Sequence, residues 1–291
     1  MECRPFSSLD ATVTVLTLHL LVPPFAVAQG SAVGQSSVST EPARIIRTAD
    51  GQPDIRGTWL SGTGQGGYSI EVGDFDIQRA ARDGVGQRTY EPFPSLVIDP
   101  TDGNVPYQPW ALSKRNERTR LHADPPSIEW VDTSARCFLY GMPHRMYRDP
   151  MQITHQFPEF ILMQWERDHD FRIIRLDGRA HIPDNVKLWN GDSRGRWEGN
   201  TLVVDVTNLN GLAWLDVVGD FVSDNAHIEE RFMVVNGQAI DYRAIITDPT
   251  VFTRPWTIGF KMRRSAGPSE ELWERACLEG NRSLEHMIRK R

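Results

Sequence analysis

Glu230 lies in the run Ile228-Glu229-Glu230-Arg231-Phe232-Met233-Val234. Side chains of an extended strand alternate between two faces, so Glu230 shares its face with Ile228, Phe232 and Val234. A carboxylate on an apolar face is desolvated, which raises its pKa toward the range useful to a general acid or base. The alternative is an ion pair with an arginine on another strand, Arg172 or Arg243. The next strand places Tyr242 in phase with Ile240, Ala244 and Ile246 and ends near Asp248. His155, in phase with Ile153 and Phe157, is a second group that a cofactor-free acid–base enzyme could use. In the chemistry these residues suggest, Glu230 or His155 moves a proton and Asp192 or Asp248 orients it. Tyr242 then binds developing negative charge, with Arg231 if the register slips.

A ring of further candidates surrounds this set. His227, Glu229 and Arg231 occupy the opposite face of the Glu230 strand and become interior if its phase shifts by one residue. His181 follows the tight turn at Asp177-Gly178 and is expected at a rim, within reach of a ligand. Trp189, before Asn190-Gly191-Asp192, either lines a mouth or plugs an end. Trp256 falls in the interior set with Ile258, Phe260 and Met262 and is a candidate ligand contact. His169 lies between Asp168 and Asp170, in a turn whose role reads as structural. Gly-x-Ser-x-Gly, His-Glu-x-x-His and dinucleotide signatures are missing, and Gly62–Gly67 lacks the Lys-Ser/Thr of a phosphate loop. No metal and no cofactor are expected.

These residues must be positioned by short strands. Apolar runs at Met151–Phe157, Phe160–Arg167, Phe171–Leu176, Trp197–Val206, Ile228–Val235, Ala239–Thr247, Trp256–Met262 and Leu272–Leu278 alternate with turn dipeptides. The spacing predicts a mainly β fold, an antiparallel meander closed as a lipocalin-like barrel or folded as a sandwich. Asn236-Gly237 is the natural turn between two of the strands. The expected organisation is a signal peptide over 1–28, a linker over 29–50, a strap over 51–135 and the barrel over 136–291. Within the strap, Leu96–Asp99 reads as a strand and Trp110–Leu121 as a helix, between Pro-rich extended stretches.

The chain has 291 residues, 40% of them hydrophobic, enough for a substantial core. A net charge of −6 gives no case for nucleic acid, which demands a basic surface. Arg4, the apolar run Val13–Val22 and Ala26-Val27-Ala28 read as an export signal, placing the protein in the periplasm or outside the cell. No membrane span is expected, because no segment reaches about 18 apolar residues. Cleavage leaves Cys137 and Cys277, which form either one disulfide or two buried thiols.

Residues 136–286 carry a set of signatures: Arg136-Cys137, Gly141-Met142-Pro143, Asp168-His169-Asp170-Phe171-Arg172, Asp177-Gly178-Arg179-Ala180-His181, Gly195-Arg196-Trp197-Glu198-Gly199-Asn200-Thr201-Leu202-Val203-Val204-Asp205, Glu230-Arg231, Asp248-Pro249 and Pro255-Trp256. In these the chain resembles a group of exported, mostly uncharacterised proteins of Proteobacteria and Acidobacteria. The resemblance implies an exported β-rich protein and no particular activity. Leu278 stands where that group often has histidine, and His155 where an apolar or amide residue is usual. The residues themselves suggest a protein binding a small hydrophobic molecule. The activity expected is a lyase, isomerase or hydrolase step on a terpenoid, aromatic or epoxide-like substrate. The competing readings are a carrier for a lipid or pigment and, third, a sandwich binding carbohydrate.

Overall fold

The computed structural model describes residues 44–61, 68–71, 94–122, 124–148, 151–265 and 273–288. The expected signal peptide and Gly62–Gly67 lie outside the described residues. Residues 42–291 form one compact unit. It is mainly β, a curled mixed sheet forming a half-barrel, with few helices.

The sheet order is β1-β3-β4-β5-β6-β7-β8-β9-β10-β2. The strands are β1 (Gly57–Leu60), β2 (Val97–Asp99), β3 (Met151–Gln156), β4 (Phe160–Trp165), β5 (Phe171–Arg175), β6 (Asp192–Glu198), β7 (Thr201–Thr207), β8 (His227–Asn236), β9 (Ala239–Thr247) and β10 (Trp256–Arg264). Both strands from the region read as a strap join the sheet. β1 pairs with β3 and, through Trp59↔Arg264 and Leu60↔Arg263, with β10. The pairing is not wholly antiparallel: β5 and β6 run parallel over Ile174↔Ser193 and Arg175↔Arg194. The long connection of residues 176–191 between them makes this geometry available, since parallel neighbours need a crossover rather than a hairpin.

Alternation sets the faces as the sequence implied. Ile228, Glu230, Phe232 and Val234 are buried on β8, and so are Ile240, Tyr242, Ala244 and Ile246 on β9. On β10, Trp256, Ile258 and Met262 are buried while Phe260 is half-buried. Two expected strands fail. The run Trp197–Val206 is a hairpin, because Gly199 takes φ +62° and the chain reverses at Gly199-Asn200 between β6 and β7. Over 273–278 no strand forms; Trp273 and Leu278 are 70% and 80% exposed, so this apolar run has no face to bury. The β8–β9 turn falls on Gly237-Gln238, one residue later than expected. Asn236 pairs with Ala239 and accepts the Gln238 N–H at 2.8 Å.

Helix α1 (Pro109–His122) opens on a proline, whose missing N–H costs nothing in the first turn. Its buried stripe is Ala111, Arg115 and Thr119, spaced by four residues. Because that stripe is largely polar, the helix docks by hydrogen bonds, Thr119 donating to the Val218 carbonyl at 2.9 Å. Two short helices follow, α2 (His144–Arg148) and α3 (Ser283–Met287). Among the described residues, no helix is long and apolar enough to cross a membrane. Cys137 and Cys277 lie in disulfide contact with Cα atoms 5.6 Å apart, a spacing such a bond accommodates.

Candidate functional site

The sequence candidates separate into two clusters on opposite faces of the sheet. The inner one is centred on Glu230, which has no exposed surface. Arg172 of β5, 3% exposed, engages it with both terminal nitrogens, one reaching Oε1 at 3.1 Å and the other Oε2. Tyr242 donates its hydroxyl to Oε1 at 2.7 Å, and Arg172 Nε donates to Ser193 Oγ at 2.9 Å. Burial, and then the neighbouring carboxylate, push the Tyr242 phenol well above its ordinary pKa, so it remains a donor. Each polar group here is committed to another protein group. The arrangement is the ion pair with Arg172 that the sequence allowed as the alternative to catalysis.

His155 takes no part in it. A bulge between Ile153 and His155 breaks the alternation of β3, leaving the imidazole exposed and stacked on Phe157 at 5.7 Å. The expected convergence of Glu230, Tyr242 and His155 on one interior site is therefore absent. Asp248 is a turn residue, accepting the N–H and hydroxyl of Ser223 at 2.6 and 3.0 Å and the Thr250 N–H at 3.1 Å. Trp256 is fully buried, edge-on to Phe252 at 5.3 Å, and reads as core.

The outer cluster brings together Asp192 of β6, Asp205 of β7, His227 of β8 and His181 of the β5–β6 connection. Pairing explains why they meet. Asp205 lies opposite Glu229 and diagonal to His227 on one face, while Arg194 lies opposite Asp205. His181 Nδ1 contacts Asp192 Oδ2 at 2.7 Å, and its Nε2 contacts Asp205 Oδ2 at 3.1 Å. The other oxygen of Asp205 is bonded to His227 Nε2. Asp192 is fixed in turn by Arg194, at 2.9 and 3.1 Å. Arg231 stays on this face, paired with Glu198 at 2.9 Å and Glu229 at 3.1 Å.

The protons can be counted. Partial burial pushes the Asp205 carboxyl up, but hydrogen bonds from His227 and His181 outweigh it and hold the group below its ordinary value. Asp192 follows the same balance: burial raises it, and bonds from Arg194 and then His181 bring it down further. An ionised carboxylate only accepts, so His181 must carry a proton on both ring nitrogens to bond both aspartates. His227 needs a proton only on Nε2, which leaves Nδ1 as an acceptor. Its side chain is 47% exposed, against 24% for His181. The arrangement is a carboxylate–imidazole dyad open to solvent, backed by an imidazolium clamp.

Neighbouring backbone builds this cluster. Asn208, 4% exposed, takes φ +60° and donates Nδ2 to the carbonyls of Pro183 and Val186 at 2.9 and 3.0 Å, pinning the loop after His181. Gly191 takes φ +68°, and a Cβ there would meet the Thr207 carbonyl at 2.5 Å. Trp189, stacked on Phe138 with centroids 5.1 Å apart, lines a small cleft with Met142, Leu209, Ala213, Trp214 and Leu215. Its free space is about 10 Å³, room for about one water.

Asp205 and Arg194 do not stand out in the sequence as site residues. The available signal is Asp205 falling in phase with Val203 and Thr207, on the face opposite Leu202, Val204 and Val206. Among the described residues, no three or more His, Cys, Asp and Glu side chains are grouped to hold a metal ion. No protein-family model, curated protein or solved structure matches the chain.

Proposed function

We propose that the protein is an exported acid–base enzyme acting through His227, with Asp205 orienting the imidazole and His181 and Asp192 holding Asp205. The observation that carries this reading is the two-sided use of Asp205, one oxygen on His227 and the other on His181. A carboxylate on Nε2 fixes the tautomer that leaves Nδ1 free, and it stabilises the imidazolium formed when Nδ1 takes a proton. The reaction class is proton abstraction, or activation of a water, in a lyase, isomerase or hydrolase step that needs no cofactor. The reading includes membership of the exported group that the sequence resembles and a periplasmic or secreted location.

In the same reading the sheet closes as a lipocalin-like barrel. The pairing of β1 with both β3 and β10 supports this. The substrate is a small, largely apolar molecule, such as a terpenoid, aromatic or epoxide. Support comes from the exposed apolar side chains of Val186 and Leu188, in the same connection as His181. A second reading is a carrier that holds such a molecule without turnover.

The experiment presents purified protein with aryl esters, epoxides and enolisable ketones, and compares His227→Gln and Asp205→Asn with the parent. General-base participation contributes roughly 10²–10⁴-fold. Turnover falling by that order in both variants, with the fold intact, supports the enzyme. Turnover equal in all three proteins overturns His227 as the base. A bound apolar molecule recovered unchanged, with no turnover of any panel member, favours the carrier.

A further inference from the structure

Asp216 and Asp220 lie four residues apart in the β7–β8 connection, far in role from the histidine cluster, and neither has exposed surface. Asp216 accepts the N–H groups of Gly219 and Asp220 on Oδ1, both at 2.9 Å, and that of Ile70 on Oδ2 at 3.1 Å. Asp220 accepts on Oδ1 the Tyr107 hydroxyl at 2.7 Å and Arg115 Nε at 3.3 Å. Its other oxygen is buried without a hydrogen-bond donor among the described residues. The Asp216 carboxyl, bonded to the Asp220 N–H, is thus held beside the Asp220 side chain, and burial, then the charge of Asp220, raise its pKa. Two carboxylates cannot bond each other unless one holds a proton, because each is only an acceptor.

The cations nearby are shared with, or turned to, other partners. Arg115 is shared with Glu71, at 2.8 Å. Arg118 lies over the rings of Trp214 and Phe221 and donates to the Gly219 carbonyl; burial pulls its pKa down to about 10. Lys114 faces Phe221, and burial lowers it too. From α2, the Tyr147 hydroxyl donates to the Leu215 carbonyl at 2.5 Å, and His144 Nδ1 is 2.8 Å from the Trp214 carbonyl. Both of these side chains thus address backbone carbonyls beside the pair. Burial, and then Asp220, raise Asp216 well above the usual carboxylate range.

We propose that Asp216 and Asp220 share one proton, and that this proton latches residues 68–71 and α1 against the β7–β8 connection until rising pH removes it. The shared proton gives the orphaned Asp220 oxygen its missing donor and leaves one negative charge, which Arg115 and Tyr107 can hold. Loss of the proton to water leaves two adjacent buried carboxylates, and like charges in a low-dielectric site repel strongly. Their separation draws Asp220 from Tyr107 and Arg115, or Asp216 from Ile70. Either movement ends a contact between the connection and the chain segments that precede the main sheet. Trp214, Leu215 and Val222 flank the pair and line the small cleft, so the latch also bears on access there.

The sign follows from the raised Asp216. Its stabilising effect is complete below the unfolded value and is lost as pH rises through the folded one. Hydrogen exchange, corrected for the intrinsic rate and followed from about pH 5 to about pH 10, reads this at the amides of Ile70, Gly219 and Asp220. Their protection is expected to fall by about tenfold per pH unit between the unfolded and the folded value, the slope of one linked proton, and to level off above the folded value. Amides of β8 and β9 are expected to hold theirs. Asp216→Asn should abolish the fall. Protection that is flat in the parent, or that falls equally in Asp216→Asn, overturns the latch. If that variant does not fold, Asp220→Asn removes the same repulsion, and a parent-like fall there overturns it instead.

Discussion

Arg172 and Glu230, on strands that are three places apart in the sheet, meet through both guanidinium nitrogens and both carboxylate oxygens in the interior. Both are within a few per cent of complete burial. Desolvating two charges costs several kcal/mol each, which attraction repays only when the remaining bonds are also made. Ser193 and Tyr242 make them. Removing one partner, as in Glu230→Gln or Arg172→Met, should cost about 3–5 kcal/mol, because the survivor is left buried and unpaired. The double change Arg172→Met/Glu230→Leu should cost less than the sum of the singles. Urea unfolding of the three variants measures this; additive losses would contradict the pair.

Asn208 tests whether the outer cluster depends on its scaffold. Its amide satisfies carbonyls of the loop that follows His181, and its backbone takes a conformation that asparagine tolerates better than alanine. Asn208→Ala should lose about 1–3 kcal/mol through unsatisfied buried carbonyls, with strain added. Asn208→Gly keeps the backbone geometry and removes the side chain alone. Thermal melts of the two variants separate the contributions. A His181 imidazole that keeps both aspartate bonds in Asn208→Gly, seen by nitrogen NMR, would show that the loop needs no pin.

The Cys137–Cys277 contact links residues 140 apart in sequence. A bridge closing so long a loop restricts the unfolded chain by about 4–5 kcal/mol in the entropy model. The double variant Cys137→Ser/Cys277→Ser should therefore unfold at markedly lower denaturant concentration, and reduction of the parent should reproduce the shift. Equal midpoints for oxidised and reduced parent would show that the thiols are unpaired.

Much of the fold is legible in the sequence because burial and period agree. Ile228, Phe232, Ile240 and Ile246 mark the inner face so plainly that alternation alone puts Glu230 and Tyr242 on it. What they do there depends on Arg172, whose strand is distant in sequence, and a one-dimensional pattern does not choose between Arg172 and Arg243. Alternation puts His155 on the wrong face because a bulge leaves no compositional mark in Ile153-Thr154-His155. The break at Gly199-Asn200 falls between two strand-forming stretches that alternation joins into one, although Gly199-Asn200 is itself a turn dipeptide. The outer cluster is half visible. Asp192, His181 and His227 each stand out in the sequence, but their convergence on Asp205 requires the β6–β7–β8 register. The parallel β5–β6 pairing follows from a long connection whose course the sequence does not dictate.

Acid should dismantle the outer cluster first at its carboxylates. Against the upward pull of burial, their partners hold Asp192 and Asp205 below the ordinary Asp value of 3.8. A depressed folded pKa gives stability that is present above the unfolded value and is lost as pH falls through the folded one. The loss therefore belongs below about pH 4. Both groups are partly exposed, so solvent screening keeps the contribution of each pair to about 0–1 kcal/mol. Asp205→Asn should be nearly neutral near pH 7 and should flatten the acid limb of a stability–pH profile. It should also release His227, so that added salt no longer changes the exposure of that imidazole to a modifying reagent. Urea midpoints measured from about pH 2 to about pH 7 in parent and variant test this. Parallel profiles would mean that Asp205 is not charged against its two imidazoles.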